Sequence, residues 1–548
     1  MSAQSSICFF SYLKSLLCVR YYLAHVSFPI PSLHSHMTSR IELFHTVFSQ
    51  FTILQIIKSG KHVGSFSVAL PLSVLVGCFI WIQMFRGSKS KTAPILMYTS
   101  FLTLSLLDGS LSNHVVSSAS LALLFLTCYD PSPLAWERAA RRALVWFAAI
   151  LYLVTGIHKL NDGFFDPHYS CASLYVSGSV AWIPLFILQL EPVHAFISFL
   201  VRFAPHTAVI FELGMPFCLL LSTIWDTKNL TLIRSSIFIG ATFHAVLALP
   251  PSPLSVYPFS SIMVPIYLLI IPAECTRIEK FVNWWTWSTV AILVVIVAII
   301  SRHATDVLFN EEDLFEYPNY GLWAVSVVWN LIAWALVIAS VLSVTERTRP
   351  VKKTHLRLAS CLVILGLFLF GLTPYIGMRN YPALAMFSNL RTEGTNPNHW
   401  IPSWDFFGYQ KDYVEVVATN IPGVRDMEIN LGGLFPEKLK ATNTLFGLSN
   451  EFYICPPKWP YQNRLAVRAN FSMPFIEFRR RISKIHGRLD DDSFIEYMRR
   501  RPGIVDSHVL LTPSNITFAP DIVTPISLFE EYFVKFRSFS DSYSPCRH

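Results

Sequence analysis

The sequence predicts an all-α, polytopic membrane helix bundle of about 10–11 spans, followed by a smaller α+β domain that faces water. Two observations support this fold class. Hydrophobic residues make up 53% of the 548 residues and charged residues only 14%, with a mean hydropathy of +0.45, which is typical of polytopic membrane proteins. The uncharged runs are concentrated between residues 66 and 376, whereas the rest of the chain towards the C-terminus is charged and rich in aromatic residues and proline.

The apolar runs divide the chain into three parts. Residues 1–60 form an N-terminal segment with a candidate first span at 41–57, residues 61–376 form the transmembrane domain, and residues 377–548 form the C-terminal domain. A helix needs roughly 20 apolar residues to cross a bilayer. Runs that approach this length lie at about 66–85, 93–107, 114–128, 139–157, 207–224, 235–249, 256–273, 282–301, 320–343 and 357–376.

Basic residues in the loops predict the orientation of the bundle. If the apolar segment 169–190 does not cross, the basic loops all fall on one side, which the positive-inside rule assigns to the cytosol. These loops lie at 86–91, 138–142, 228–234, 277–280 and 347–357. We therefore expect segment 169–190 to be re-entrant or interfacial, and the C-terminal domain to lie in the lumen of the endoplasmic reticulum or another endomembrane.

The C-terminal domain contains two N-glycosylation triplets, Asn470-Phe-Ser and Asn515-Ile-Thr, which agree with a lumenal location. Its residue patterns predict both strands and helices. The strands are predicted at 413–417, 465–469 and 508–511, and the helices at 474–485 and 492–501.

Charge and cysteine usage exclude several classes of site. The formal charge of +8 reports orientation in a membrane protein, so we expect no nucleic-acid partner. The ten cysteines form no C-x-x-C pair, so we expect no zinc or other metal site. Cys455 and Cys546 could pair if the C-terminal domain lies in an oxidising lumen.

The best candidate for chemistry is Lys159, which follows the uncharged run 143–157. A lysine at the end of a span is either an anchor that reaches for the interface or a desolvated amine that can take a proton. Glu212 is the acid of its own span, and it can pair with Lys159, pair with a histidine, or lie near the interface.

Two further polar groups interrupt apolar surroundings. Ser112-Asn113-His114 opens a helix, where serine and asparagine are most often caps, but His114 could bind a ring oxygen of a ligand. His244 lies within an apolar helix, where it either packs in the core or serves a functional site.

Taken together, these residues resemble the horizontally transferred transmembrane (HTTM) family, which includes vitamin K-dependent gamma-glutamyl carboxylase. The resemblance is carried by Asn113-His114, by Gly156-Ile-His-Lys-Leu160, and by Phe243-His244 followed by Tyr257-Pro-Phe-Ser-Ser261. It covers the membrane core from about residue 66 to 275. We therefore expect a membrane glycoprotein that is an enzyme of the carboxylase or quinol epoxidase type, with lyase-like carbon–carbon chemistry.

The resemblance also implies the roles of individual residues. Lys159, His114 and His244 would be the catalytic residues, and Asn113, His114 and Lys159 would bind the cofactor, reduced vitamin K or a similar lipidic quinol. Lys159 would be the base that deprotonates the quinol, and the reaction with O2 would give a base strong enough to remove a glutamate γ-proton before CO2 adds. The implied partners are the lipid bilayer and a secreted protein substrate with glutamate residues.

Two departures from the carboxylase motivate an alternative, a non-catalytic lipid-binding or secretion-related membrane protein on the same bundle. His158-Lys159 stands where the carboxylase has paired lysines, and the region after residue 376 is shorter. The motifs at 386–394, 398–400 and 474–481 look like those of other family members. We interpret them as segments that dock the C-terminal domain over the lumenal mouth, with a role of His399 in the site as the alternative.

Overall fold

The structure is a computed structural model, and it describes most of the chain. The described residues are 40–59, 71, 74–79, 82, 92–107, 113–224, 230–250, 254, 256–271, 320–342, 356–385, 387–421, 424, 429–430, 437–454, 472–485, 491–512, 520–540 and 544–547. The predicted span at 282–301 and the predicted strand at 465–469 lie outside them, as does most of the span at 66–85.

Helices account for nearly all of the described N-terminal two-thirds of the chain. In chain order they are α1 (Arg40–Ser59), α2 (Thr92–Leu107), α3 (Asn113–Thr127), α4 (Pro133–His158), α5 (Asp162–Phe165), α6 (Cys171–Val180), α7 (Leu185–Leu188), α8 (Glu191–Ile224), α9 (Leu230–Leu247), α10 (Tyr257–Ile270), α11 (Tyr320–Leu342) and α12 (Leu358–Gly371). A helical domain followed by a smaller domain with strands agrees with the all-α and α+β parts of the predicted fold class, and the number of about 10–11 membrane spans stays a prediction.

Two of the described helices, α4 and residues 191–221 of α8, are long and apolar enough to cross a membrane by length and composition. Six shorter apolar helices of 10–17 residues accompany them. The span predicted at 207–224 proves to be the second half of α8, because the helix continues through Pro205. A proline inside a helix normally kinks or ends it, which is why the sequence predicted too late a start.

The segment at 169–190 folds into two short helices, α6 and α7. At about 1.5 Å per residue, the ten residues of α6 extend about 15 Å, roughly half of the hydrocarbon thickness of a bilayer. Neither helix is long enough to cross, as expected for this segment. Instead α6 packs between α8 and the C-terminal domain.

The main core of the helical domain lies between α1, α2, α3, α4, α10 and α11, and buried residues of α8, α9 and α12 also contribute to it. Aromatic rings fill the part of this core that lies next to α1. Tyr98 stacks on Phe125, and the Tyr98 hydroxyl lies 2.8 Å from Nδ1 of His45. At one end of the bundle, Arg357 at the start of α12 forms an ion pair with Asp130 before α4. The starts of α4 and α12 therefore lie side by side.

The C-terminal domain contains two small sheets. Its strands are β1 (Tyr413–Thr419), β2 (Ile429–Asn430), β3 (Phe452–Ile454), β4 (Ser472–Pro474), β5 (Ile495–Arg501), β6 (Ile504–Leu511) and β7 (Cys546–Arg547), and its helices are α13 (Glu437–Leu445), α14 (Phe475–Ile485), α15 (Pro520–Val523) and α16 (Leu528–Phe533). An antiparallel sheet has the order β4-β1-β5-β6, and a second sheet has the order β2-β3-β7.

Several predictions for this domain are confirmed and one is wrong. Strands at 413–417 and 508–511 and the helix at 474–485 are present, but residues 492–501 form strand β5 instead of a helix. Ile495 and Tyr497 are buried while the residues between and after them are less so, which is the period-two burial of a strand. Pairing with β1 on one side and β6 on the other overrides the charged, helix-like composition.

A disulfide joins the two domains, between Cys171 at the start of α6 and Cys546 in β7. The proposed pairing of Cys546 with Cys455 is therefore wrong, and Cys455 itself lies outside the described residues. No local pattern indicates this partner, because Cys171 and Cys546 are 375 residues apart in the sequence. Asn389 supports the same junction, since its side chain accepts from the Cys171 N–H and donates to the Tyr169 carbonyl.

Replacing Cys171 with serine is expected to lower the free energy of unfolding by about 2–5 kcal/mol, because the disulfide restricts the unfolded chain. Unfolding in denaturant, followed by fluorescence, measures the change. Cys361→Ser is the matched control, because Cys361 is a free cysteine in α12. Peptide mapping without reductant should recover the 171–546 cross-link, and its absence from the folded protein would contradict this pairing.

Candidate functional site

Lys159 follows the last residue of α4 and its side chain is buried rather than extended towards water. The residue is 7% exposed, and its Nζ donates to Oε2 of Glu212 on α8 at 2.7 Å. Glu212 is itself 8% exposed. Lys159 is therefore not an anchor that extends to the membrane interface. Of the three alternatives for Glu212, pairing with Lys159 is the one that the structure shows.

The close approach of α4 and α8 at Gly156 allows this pair to form. A Cβ on Gly156 would lie 2.8 Å from Leu213 and 3.2 Å from the backbone of Glu212. A side chain at this position would press against the Glu212 backbone and the Leu213 side chain, and glycine avoids both contacts. The glycine one turn before Lys159 thus brings Glu212 within reach of the amine.

A second polar cluster lies deeper between the helices and centres on Tyr152. The Tyr152 hydroxyl is 2.6 Å from Nε2 of His244 on α9 and 2.6 Å from the hydroxyl of Tyr267 on α10. All three side chains are essentially inaccessible to solvent. Gly240 on α9 leaves room for this arrangement, because a Cβ there would overlap the Tyr267 hydroxyl.

The ion pair and the Tyr152 cluster lie along the same side of α4. Tyr152 and Lys159 are seven residues apart, which places them about two turns and 10 Å apart on one helix face. Phe211, adjacent to Glu212, packs edge-on against the Tyr152 ring at 5.6 Å between centroids. The structure therefore brings Lys159 and His244 into one region without direct contact between them. Tyr152 shares a face of α4 with Lys159 and is hydrogen-bonded to His244.

Asn113 opens α3 and binds the backbone of the segment after α12. Its Oδ1 accepts from the N–H groups of Ala383 and Leu384, at 2.9 and 2.8 Å. Its Nδ2 is buried without a hydrogen-bond partner among the described residues. His114 is half-buried. As the next residue of the helix, it lies about 100° around the helix axis from Asn113. Asn113 thus binds residues of the C-terminal domain, whereas Lys159 binds Glu212 on α8.

Segment 398–400 docks directly on the loop that follows Lys159. Trp400 N donates to the Leu160 carbonyl at 3.0 Å, and Asp162 N donates to the Asn398 carbonyl at 3.1 Å. His399 Nε2 lies 2.8 Å from the Ile157 carbonyl and 3.0 Å from the Tyr375 hydroxyl. These contacts support the docking interpretation of this motif over a ligand-binding role for His399.

The motif at 474–481 does not dock on the helical domain through its helix. Helix α14 packs on β1, β4 and α15 within the C-terminal domain. Its Arg480 binds Glu477, Glu531 and the Val534 carbonyl. The motif therefore stabilises its own domain, because its apolar face is buried in the core that includes Phe478 and Ile482.

Two residues of the site were missed by the sequence interpretation, Tyr152 and Tyr267. Tyr152 could have been found, because it lies two helical turns before Lys159, on the same face. Tyr267 could not, because its place depends on how α10 packs against α4. Outside the helices, buried Glu393 was also missed; Asn380 donates to its carboxylate, and burial raises its pKa to about 7.

Gly240→Ala is expected to break the hydrogen bond between Tyr152 and Tyr267 and to destabilise the protein by about 1–3 kcal/mol, because the added methyl group displaces the Tyr267 ring. Thermal unfolding in detergent measures this. Gly214→Ala on α8 is the control, because no atom lies within 4 Å of the added Cβ, and it should be neutral or stabilising by up to about 1 kcal/mol. Equal melting temperatures for the two variants would contradict the packing at Gly240.

Within the described residues, no group of three His, Cys, Asp or Glu side chains is placed to hold a metal ion. In comparisons with family models, curated proteins and solved structures, nothing matches this chain. Its function is therefore inferred from the geometry of its own residues.

Proposed function

We propose that this chain is a multi-pass membrane enzyme of the HTTM class that uses Lys159 as a base on a lipidic quinol. The observation that carries the proposal is the buried pair of Lys159 and Glu212 at the end of α4, two turns from the Tyr152–His244 hydrogen bond. Burying an ion pair away from water costs free energy. Such a pair therefore persists where its surroundings offset this cost or where its function requires it.

Support for a membrane location comes from the outer face of α8. Phe196, Phe203, Ile210 and Phe217 recur every seven residues and are 44–73% exposed. Such a stripe of large apolar side chains along a 34-residue helix is unfavourable in water and is what a lipid-facing helix presents.

Support for a lumenal C-terminal domain comes from the disulfide between Cys171 and Cys546. Disulfides persist in oxidising compartments and are rare in the cytosol. Since Cys171 lies 12 residues after Lys159, the amine, the short helix α6 and the C-terminal domain would all lie at the lumenal face. Asn470 and Asn515 lie outside the described residues, and the proposal predicts that they are glycosylated in the lumen.

Two buried polar atoms fit the binding of a quinol. Nδ2 of Asn113 and Nδ1 of His244 have no hydrogen-bond partner among the described residues. Buried polar atoms are nearly always satisfied, so each of these is suited to an oxygen of a bound ring. Both residues belong to the set that the resemblance implies.

In this proposal the quinol hydroxyl proton passes to the Lys159–Glu212 pair, which already holds one proton between the amine and the carboxylate. The second proton leaves an ammonium on Lys159 beside a carboxylic acid on Glu212. Asn113 and His244 orient the ring. Reduced vitamin K or a similar quinol would supply, with O2, the base needed to remove a glutamate γ-proton so that CO2 can add. The apolar helices around the pair exclude water, which would otherwise compete for the proton.

A second candidate function is a non-catalytic membrane protein that binds lipid or assists secretion. It is favoured by the fact that Asn113 already binds the backbone of 383–384 and Lys159 already binds Glu212. These contacts would then be structural. Lipid extracts of the purified protein distinguish the two: a bound quinone favours the enzyme, and bulk phospholipid alone favours the second candidate.

Lys159→Met is expected to reduce quinol turnover by about 10²–10⁴-fold, the usual contribution of a general base. The measurement is quinol epoxide formation, together with incorporation of labelled CO2 into a glutamate-containing peptide, by the full chain in liposomes. Because the single variant leaves Glu212 buried without its partner, it should also lose about 3–5 kcal/mol of stability.

The double variant Lys159→Met with Glu212→Leu separates catalysis from folding. Replacing both partners by apolar groups should restore most of the stability, since such replacements are often close to neutral. We expect it to fold and to remain inactive. Full quinol turnover by this variant would show that the pair is only structural and would reject the base mechanism.

A further inference from the structure

An exposed aromatic surface lies on the C-terminal domain, and apart from Trp400 at one end its residues take no part in the site described above. We call it the aromatic rim; it consists of segment 400–407 and helix α16. In the first part Trp404 is 62% exposed and Phe406 is 73% exposed, and in the second part Tyr532 is 68% exposed. Large apolar groups clustered at such exposure mark a surface that contacts a partner or a membrane.

The two parts of the aromatic rim form one continuous surface. The rings of Phe407 and Phe529 are 6.0 Å apart, and Phe529 in turn stacks on Phe533 at 5.5 Å. Trp404 stacks on Phe406 at 6.4 Å. Aromatic contacts therefore run from the loop to the helix, although the two segments are distant in the sequence.

The chain immediately after α12 holds the aromatic rim in place. Trp404 N donates to the Tyr375 carbonyl at 2.7 Å, and the close approach of Gly377, at φ +79°, leaves room for Asp405 beside it. Arg379 donates to the carbonyls of Tyr532 and Phe533, and its guanidinium lies 5.5 Å from the ring of Phe370 in α12. Both parts of the rim are thus fixed at the C-terminal end of this helix.

Helix α12 presents an apolar stripe that leads to the aromatic rim. Leu358, Leu362, Leu365 and Leu369 lie on one face and are 50–76% exposed. The helix has 14 residues, which at about 1.5 Å each extend about 21 Å, short of the roughly 30 Å hydrocarbon core. The stripe ends at Leu369, and the rim follows directly beyond it.

The other end of the aromatic rim lies beside the end of α4. The Trp400 ring stacks on Phe165 at 4.9 Å, and its Nε1 donates to Asp162 at 2.8 Å. His158 donates to the carbonyl of Gly371, so the ends of α4 and α12 are adjacent. The aromatic rim therefore lies beside the C-terminal ends of both α4 and α12.

We propose that the aromatic rim inserts into the interfacial layer of the bilayer and anchors the C-terminal domain to the membrane surface. Trp and Tyr are favoured at the headgroup level, where an apolar ring body and a polar N–H or O–H both find suitable surroundings. The continuity with the leucine stripe of α12 identifies the occupant as lipid. The inference rests on the membrane location in the proposed function, but not on its chemistry.

The test uses the full chain in phosphatidylcholine liposomes, labelled at Phe406→Cys with a polarity-sensitive fluorophore. Lipids with a spin label near the headgroup should quench this probe several-fold more than a probe at Leu510→Cys. Leu510 is similarly exposed but lies on the sheet, in β6. A second probe at Tyr532→Cys in α16 should behave as the one at Phe406, and it covers the case in which the first substitution prevents folding.

A third probe, at Leu365→Cys, separates failure of this inference from failure of the membrane proposal. If deep spin labels quench Leu365 but shallow ones leave both rim probes unquenched, the helices are in the membrane and the inference is overturned. Rim probes shielded from both lipid and aqueous iodide would indicate a protein occupant, such as a second copy, and would also overturn it. If Leu365 is not quenched, the membrane location itself is wrong and the inference fails with it.

Discussion

The buried ion pair between Lys159 and Glu212 constrains how the helices around it can pack. Withdrawing two charges from water is costly, and their attraction offsets this only when the geometry is close and the other polar contacts are satisfied. Here Nζ lies 2.7 Å from the carboxylate, and the Thr155 carbonyl is a further acceptor at 3.4 Å. The contact is made where α4 and α8 approach each other at Gly156, so the ion pair joins the two helices at that point.

The end of the bundle that contains Lys159 is closed by segments from distant parts of the chain. Residues 383–384 bind Asn113, residues 398–400 bind the loop after Lys159, and Cys546 bonds to Cys171. The hydrogen bonds among these contacts satisfy backbone and side-chain groups near the helix ends, and the disulfide adds a covalent link. The C-terminal domain is thus joined to the helical domain at the end of α4, through hydrogen bonds to the residues on either side of Lys159.

The sequence predicted those features that depend on local pattern. Apolar runs located α2, α3, α10 and α11 to within a few residues, and the motif Gly156 to Leu160 identified the amine that proves to be buried. The prediction was wrong or incomplete where contacts between distant parts of the chain determine the structure. Residues 495–501 became a strand through pairing with β1 and β6, Cys546 found a partner in α6, and α8 continued through Pro205. No pattern along the chain encodes which helix Tyr267 will face.

The arrangement around Tyr152 bears on whether the ion pair is only structural. A structural pair needs no further polar groups, and apolar residues would fill the space between α4, α9 and α10 at lower cost. Instead two hydroxyls and an imidazole are buried there, and Gly240 makes room for them although glycine costs a helix about 1 kcal/mol relative to alanine. A hydrogen-bonded chain of this kind can orient a ligand or pass a proton, neither of which packing requires. In the proposed function, this cluster and the Lys159 amine, which lie about two turns apart on the same face of α4, belong to one site.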